Sequence, residues 1–241
     1  MSDSKFKELK PKVVLGIVAH PDDLDFGSSG TMAKFATQGA KVYYLILTDG
    51  SKGSEDKSIT SAQLVKIREN EQKAALKILG GQEVFFLGYP DGQLEITMEA
   101  KKEVIKIIRK VKPDVVVTMD PSMIYSTERG YINHPDHRAA GQIALDAVFP
   151  LARDHLSFPE LYDQGYEPHK TKTVLLINFD KANFYVDISS TFDTKIKALQ
   201  AHASQIKDPN QTIEWIGQMA EMIGKRAGLK KAEGFVRLDL N

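Results

Sequence analysis

Cysteine is absent from the chain, which excludes disulfides, zinc–thiolate sites and a cysteine nucleophile, and leaves histidine and carboxylate as the strong metal ligands available. Net charge is absent too: 32 basic residues balance 32 acidic ones, so no global field draws the chain to nucleic acid or an anionic membrane. Neither is expected as a partner, and a charged ligand must be recognised by local groups. Long apolar runs are also missing. Behind the polar, lysine-rich stretch Met1–Lys12 the first such run reaches only from Val13 to Ala19, too short for a signal-peptide core or a membrane span, so a cytoplasmic protein is expected. What is present is ordinary globular composition, 42% hydrophobic and 27% charged over 241 residues, which excludes a disordered, collagenous or coiled-coil chain. Without a repeat, low-complexity tract or linker, residues 1–241 read as one domain with 1–12 as a polar extension; composition leaves a homo-oligomer open.

Five short runs rich in β-branched residues read as buried strands, apolar on both faces: Val13–Ala19, Val42–Leu47, Val84–Leu87, Val115–Thr118 and Val174–Phe179. Between the first four lie helical periods at Gly30–Gln38, at Ala62–Leu79 stopped by Gly80 and Gly81, and at Met98–Val111 behind a Thr97 cap and before Pro113. Strict alternation demands right-handed crossovers and a mostly parallel sheet covered on both faces, a doubly wound, Rossmann-like α/β fold. In such sheets ligands bind at the carboxyl ends of the strands. Further helices are expected over Pro135–Val148, Asp193–Gln205 and Pro209–Ala227, with Trp215, Met219 and Met222 as core. The irregular stretch Phe149–Lys172 is a long loop, either a substrate-facing element or a tolerated insertion.

Only six histidines occur, and two fall within one four-residue string. The first informative segment, Ala19-His20-Pro21-Asp22-Asp23, begins where the first strand should end. Across a turn stiffened by Pro21, His20 and Asp23 can converge on one point as half of a metal site, while Asp22 points elsewhere, which suits a base. The second segment is Asn133-His134-Pro135-Asp136-His137, with Pro135 as the first residue of a helix. One histidine of this pair would complete a two-histidine, one-carboxylate set with a position left open for water, as catalytic zinc requires; the other stays available for proton or oxyanion work. Singly, each segment has a plainer explanation, since carboxylates cap helix starts and His-x-x-His is a weak signal. Together they place three metal-capable groups and two acid–base groups at the expected sheet edge.

Two glycine-rich stretches carry no nucleotide signature. Asp49-Gly50-Ser51-Lys52-Gly53 fits neither the P-loop nor the dinucleotide spacing and reads as a wall of the site. Gly27-Ser28-Ser29-Gly30 reads as close helix-to-sheet packing.

The paired strings resemble the two signature motifs of the PIG-L/LmbE-like zinc N-deacetylases, a family acting mostly on N-acetylglucosamine compounds. The similarity runs from about Val13 to Gln205 and includes Thr48-Asp49-Gly50, Arg68, Leu87-Gly88-Tyr89-Pro90-Asp91-Gly92 and Ala201-His202-Ala203-Ser204-Gln205. By matching position the resemblance implies zinc, or a divalent cation in its place, on His20, Asp23 and His137. It further implies Asp22 as general base, His134 as general acid and oxyanion partner, Asp136 orienting His134, and Arg68 and Asp91 on sugar hydroxyls. An aromatic residue shortly before the second motif often lines the family's site; here Tyr131 is nearest, and Ile132 holds the position where it is expected. His202 belongs either to the site or to helix packing. The implied activity is removal of the acetyl group from an amino sugar, with release of acetate. The alternatives are deacylation of another small N-acyl compound, or an inactive nucleotide- or sugar-binding member of the fold.

Overall fold

The computed structural model describes residues 8–127 and 130–240. Its strands are β1 (Val13–Val18), β2 (Lys41–Thr48), β3 (Glu83–Tyr89), β4 (Val115–Met119), β5 (Tyr125–Ser126), β6 (Tyr131–Ile132), β7 (Thr173–Ile177), β8 (Phe184–Asp187) and β9 (Ala232–Asp239). Seven form one sheet in the order β3-β2-β1-β4-β7-β9-β8, while β5 and β6 make a separate antiparallel hairpin. Strands β1, β2, β3, β4 and β7 are mutually parallel, and β9 runs antiparallel to both of its neighbours. The helices are α1 (Asp23–Thr37), α2 (Ser61–Ile78), α3 (Met98–Val111), α4 (Pro135–Asp146), α5 (Pro159–Asp163), α6 (Phe192–Gln200) and α7 (Pro209–Arg226). The doubly wound α/β architecture expected from the alternation is therefore present.

Alternation within β1 explains the layers. Val14 and Val18 point to the side where Leu24, Met32, Ala75, Ala198 and Ala220 of α1, α2, α6 and α7 pack. Leu15 and Ile17 point to the opposite side, against Val104, Ile105 and Ile108 of α3 and Ile143 and Ala144 of α4. Both faces are buried, as parallel strands require. A capping box formed by Thr60 and Gln63 starts α2, and the Thr97 side chain accepts the Ala100 N–H at the start of α3.

The structure corrects four expectations, the first being the α7 core, where Trp215 and Met222 are exposed rather than buried. Helix α1 starts at Asp23, ahead of the Gly30 boundary, because every residue from Gly27 to Ala33 is buried and no exposed face marks its period. Its small residues sit hard on the sheet side: a Cβ at Gly27 would lie 2.9 Å from Ile177 Cδ1, and one at Gly30 2.9 Å from Ile188 Cγ2. The stretch 149–172 contains α5 and does not face the catalytic end. Its carbonyls at Leu151, Ala152, Asp154 and Ser157 are held by the Arg109 guanidinium near the end of α3, and His169 bonds Pro113 O, which precedes β4. That anchorage places it at the amino edge of the sheet. Finally, β8 and β9 extend the sheet beyond the five expected strands. Of the polar extension, residues 1–7 lie outside the described residues, and Leu9 packs against the core.

Candidate active site

The chain leaves β1 into a short loop whose backbone is unusual. Asp22 has φ of 92°, the left-handed region that a non-glycine residue enters at a cost of roughly 1–3 kcal/mol. Surrounding groups hold it there. Arg68, 5% exposed, donates from Nη2 to Pro21 O at 2.8 Å and from Nη1 to Gly50 O at 3.0 Å, tying the loop after β1 to the loop after β2. Only glycine fits at position 50, where φ is 61° and a Cβ would lie 3.0 Å from Pro21 Cδ and 3.1 Å from Arg68 Nη1. The Asp49–Gly53 stretch is thus a wall of this site.

From the other side comes the start of α4, with His134 as its N-cap and Pro135 as its first residue. The Asp136 N–H donates to His134 Nδ1 at 3.2 Å, so the proton of neutral His134 lies on Nε2. The rings of His20, His134 and His137 stand together, with centroids 4.8 Å apart for His20–His134, 5.2 Å for His20–His137 and 5.3 Å for His134–His137. The Asp23 carboxylate bridges two of them. Its Oδ1 lies 3.1 Å from His137 Nε2, and its Oδ2 lies 3.6 Å from His20 Nδ1.

The remaining nitrogens decide which atoms can hold a cation. His20 Nε2 faces Asp136 Oδ2 at 3.2 Å and Asp91 Oδ1 at 3.3 Å; ionised carboxylates only accept, so this nitrogen carries the proton and Nδ1 is left for a metal. His137 Nδ1 lies 3.1 Å from the amide oxygen of Asn133, another pure acceptor, which leaves Nε2. The donor set His20 Nδ1, Asp23 and His137 Nε2 fits a zinc-type cation of borderline softness. Two clusters have all their ligand atoms within 4.8 Å of one another: the three histidines, and His20 with Asp91 and Asp136. In the second, Asp136 already accepts from the Gly92 N–H at 2.6 Å and the Leu94 N–H at 3.2 Å, and Asp91 from the Lys52 N–H at 3.1 Å.

Electrostatics separate the neighbouring carboxylates. Burial and the charge of Asp23 push the Asp22 carboxyl up to about 6, against the pull of Arg68 Nη2 at 3.4 Å. Burial acts upward on Asp23 also, but His137 and His20 overcome it and hold that carboxyl well below its usual range. His20 is disfavoured as a cation by burial, yet Asp23 and Asp91 lift it to about 10 in the metal-free chain. His134 is held below its ordinary value, first by burial and then by the charges of His20 and His137.

The structure brings all eight residues expected at the site into one cluster, and three of them make contacts other than those expected. The carboxylate of Asp136 is turned to His20, and only its backbone N–H reaches His134: capping places the His134 ring over the first turn while the Asp136 side chain points inward, 1% exposed. The Nη1 and Nη2 groups of Arg68 are engaged by loop carbonyls and Asp22, and Asp91, 5% exposed, faces His20 and the Lys52 amide. His202 is fully buried against Asp25, 2.9 Å away, which favours helix packing. Tyr131, at 40% exposure, donates from its hydroxyl to Asn133 Oδ1 at 3.2 Å. Sequence reasoning gave no role to Asn133, although it opens the second string, and missed Gln72, a polar residue of no intrinsic reactivity whose only signal is burial; the two are 2% and 0% exposed.

Residues 15–148 match the family described as PIG-L, GlcNAc-PI de-N-acetylase. The chain belongs to that family. It is 34% identical over 225 residues to a diacetylchitobiose deacetylase of Thermococcus kodakarensis, covering 92% of this chain and 82% of the relative. It is 27% identical to a probable N-acetyl-alpha-D-glucosaminyl L-malate deacetylase of Bacillus anthracis, covering 84% and 91%. Among solved structures, N,N'-diacetylchitobiose deacetylase from Pyrococcus horikoshii superposes with a TM-score of 0.87 at 31% identity, over 95% of this chain and 84% of that one. No helix of the described residues is long and apolar enough to cross a membrane.

Proposed function

We propose that this PIG-L family member is a metal-dependent N-deacetylase that hydrolyses the acetamide of an N-acetylglucosamine-type sugar, releasing acetate and the free amine. The observation that carries the reading is the Asp23 carboxylate lying between His20 and His137 with a second carboxylate, Asp22, beside it. His20, Asp23 and His137 would hold zinc or another divalent cation, which lowers the pKa of a bound water towards about 7 and polarises an acyl oxygen. The chain supplies the proton transfers. Asp22, poised at about 6, is largely ionised at neutral pH and accepts the proton of the attacking water as the new C–O bond forms. His134, neutral with its proton on Nε2, donates a hydrogen bond to the oxygen that gains charge. The amine leaves only once its nitrogen is protonated, and protonated Asp22 returns that proton as the C–N bond breaks. The relatives' names point to the sugar class, and diacetylchitobiose is the first substrate to test.

The test is acetate release by the zinc-loaded chain from N,N'-diacetylchitobiose and N-acetylglucosamine, with N-acetyl amino acids as control. Hydrolysis of a sugar substrate with one free amine per acetate is expected. Folded, zinc-loaded protein that cleaves only the amino-acid control would overturn the sugar assignment, and inactivity on all three would overturn the enzyme.

A further inference from the structure

Resting on the deacetylase reading, we propose that Gln72 is a positioning residue for the base Asp22, clamping the left-handed backbone from which that carboxylate projects. The Asp22 peptide is tied on both sides. Its carbonyl accepts the Asp25 and Phe26 N–H groups at 2.8 and 3.0 Å, which is the first turn of α1. Its own N–H sits outside the helix ladder and donates to Gln72 Oε1 at 2.9 Å. The Gln72 amide is in turn gripped from behind, because Nε2 donates to Asp25 Oδ2 at 2.7 Å. The same oxygen lies 2.9 Å from His202 Nε2. Gln72, Asp25 and His202 are all 0% exposed.

The chemistry at each end fixes which way the amide faces: an N–H points at Oε1, and a carboxylate can only accept from Nε2. A run of hydrogen bonds therefore reaches from His202, just beyond α6, through Asp25 on α1 and Gln72 on α2, to the loop that carries the base. No other side-chain type serves as well. An aliphatic residue would leave the Asp22 N–H without an acceptor, and glutamate would set a second carboxylate against Asp25. Gln72 bonds only the backbone of Asp22, so its effect on the reaction passes through the aim of that carboxylate.

The experiment compares wild type, Gln72→Met, Asp22→Asn and the double variant, each zinc-loaded, on N,N'-diacetylchitobiose. It reads kcat, KM and the zinc dissociation constant from chelator competition. Methionine is close to isosteric and removes both polar ends. We expect Gln72→Met to lower kcat about tenfold to a hundredfold, the scale of a small misplacement of a reacting group, with KM and zinc affinity within about twofold. Added to Asp22→Asn it should cost nothing further, because both changes disable one function. Unchanged kcat in Gln72→Met overturns the proposal. So does zinc affinity falling in step with kcat, which marks support of the metal loop, or losses that multiply in the double variant. Should Gln72→Met fail to fold, Gln72→Asn, which keeps both polar groups on a shorter stem, must show the same split between kcat and KM. Wild type without activity overturns the deacetylase reading together with this role; active wild type beside fully active Gln72→Met overturns this role alone.

Discussion

Asp22 and Asp23 are chemically identical and adjacent, yet their surroundings assign them different work. Asp23 lies between two imidazoles that keep it ionised, as a ligand requires, while burial beside that fixed charge raises Asp22 into the range of a base. Asp22→Asn should therefore retain zinc and lose activity by about a hundredfold to ten-thousandfold, since an amide cannot accept the proton. His137→Ala should lose zinc first and activity as its consequence, so metal content measured beside turnover separates the two roles; zinc retained in the His137 variant with activity gone would exchange the two histidines. The buried His202–Asp25 pair makes a different prediction. Burial disfavours the imidazolium, but the Asp25 hydrogen bond outweighs it and raises His202 above its ordinary 6.5. A raised folded pKa gives stability that is fully present below the unfolded value and lost as pH rises through the folded one. Melting temperature should fall more steeply above pH 6.5 for wild type than for His202→Gln. Equal slopes would show that the pair does not carry a proton into the fold.

Between residues and the whole molecule stand two elements, the start of α1 and the start of α4, whose meeting makes the site. Close packing sets where α4 lies: a Cβ added at Gly141 would be 2.4 Å from the carbonyl oxygen of Met119 at the end of β4. Backbone cannot yield as a side-chain tip can, so Gly141→Ala should push α4 outward and cost about 1–3 kcal/mol, read in thermal unfolding. Because His134 and His137 ride on that helix, zinc affinity should weaken with it; a variant as stable and as tight for zinc as wild type would contradict this packing. The His-Pro-Asp-Asp string marked the turn ahead of α1 though not the helix boundary itself, and the start of α4 was legible in the sequence, because Pro135 is a local signal. The body of α1 was not, since a helix buried all round by glycine, serine and alanine shows no apolar period. Strand β9 was hidden for a related reason. It buries Glu233, whose Oε1 lies 2.7 Å from Lys195 Nζ and which also accepts the Gly30 and Thr31 N–H groups, and such a charge interrupts the apolar run by which a buried strand is recognised.

At the scale of the molecule, a doubly wound sheet carries its chemistry at the carboxyl ends of its strands, and here β1 and the segment after β4 deliver His20, Asp23 and His137 to one point. The residue types and their spacing announced that meeting. The second ring nitrogens did not: which carboxylate backs His20, and that Asn133 backs His137, depend on side-chain direction across distant segments. Those contacts bear on three arrangements of a cation, one on His20, Asp23 and His137, one on His20, His134 and His137, and one on His20, Asp91 and Asp136. Anomalous diffraction at the zinc edge, from crystals of the zinc-loaded chain, distinguishes them most directly. One ion within bonding distance of His20, Asp23 and His137, about 2.0–2.2 Å from each, is the predicted result; an ion held by the three histidines or seated among His20, Asp91 and Asp136, or none on any of these sets, would contradict it.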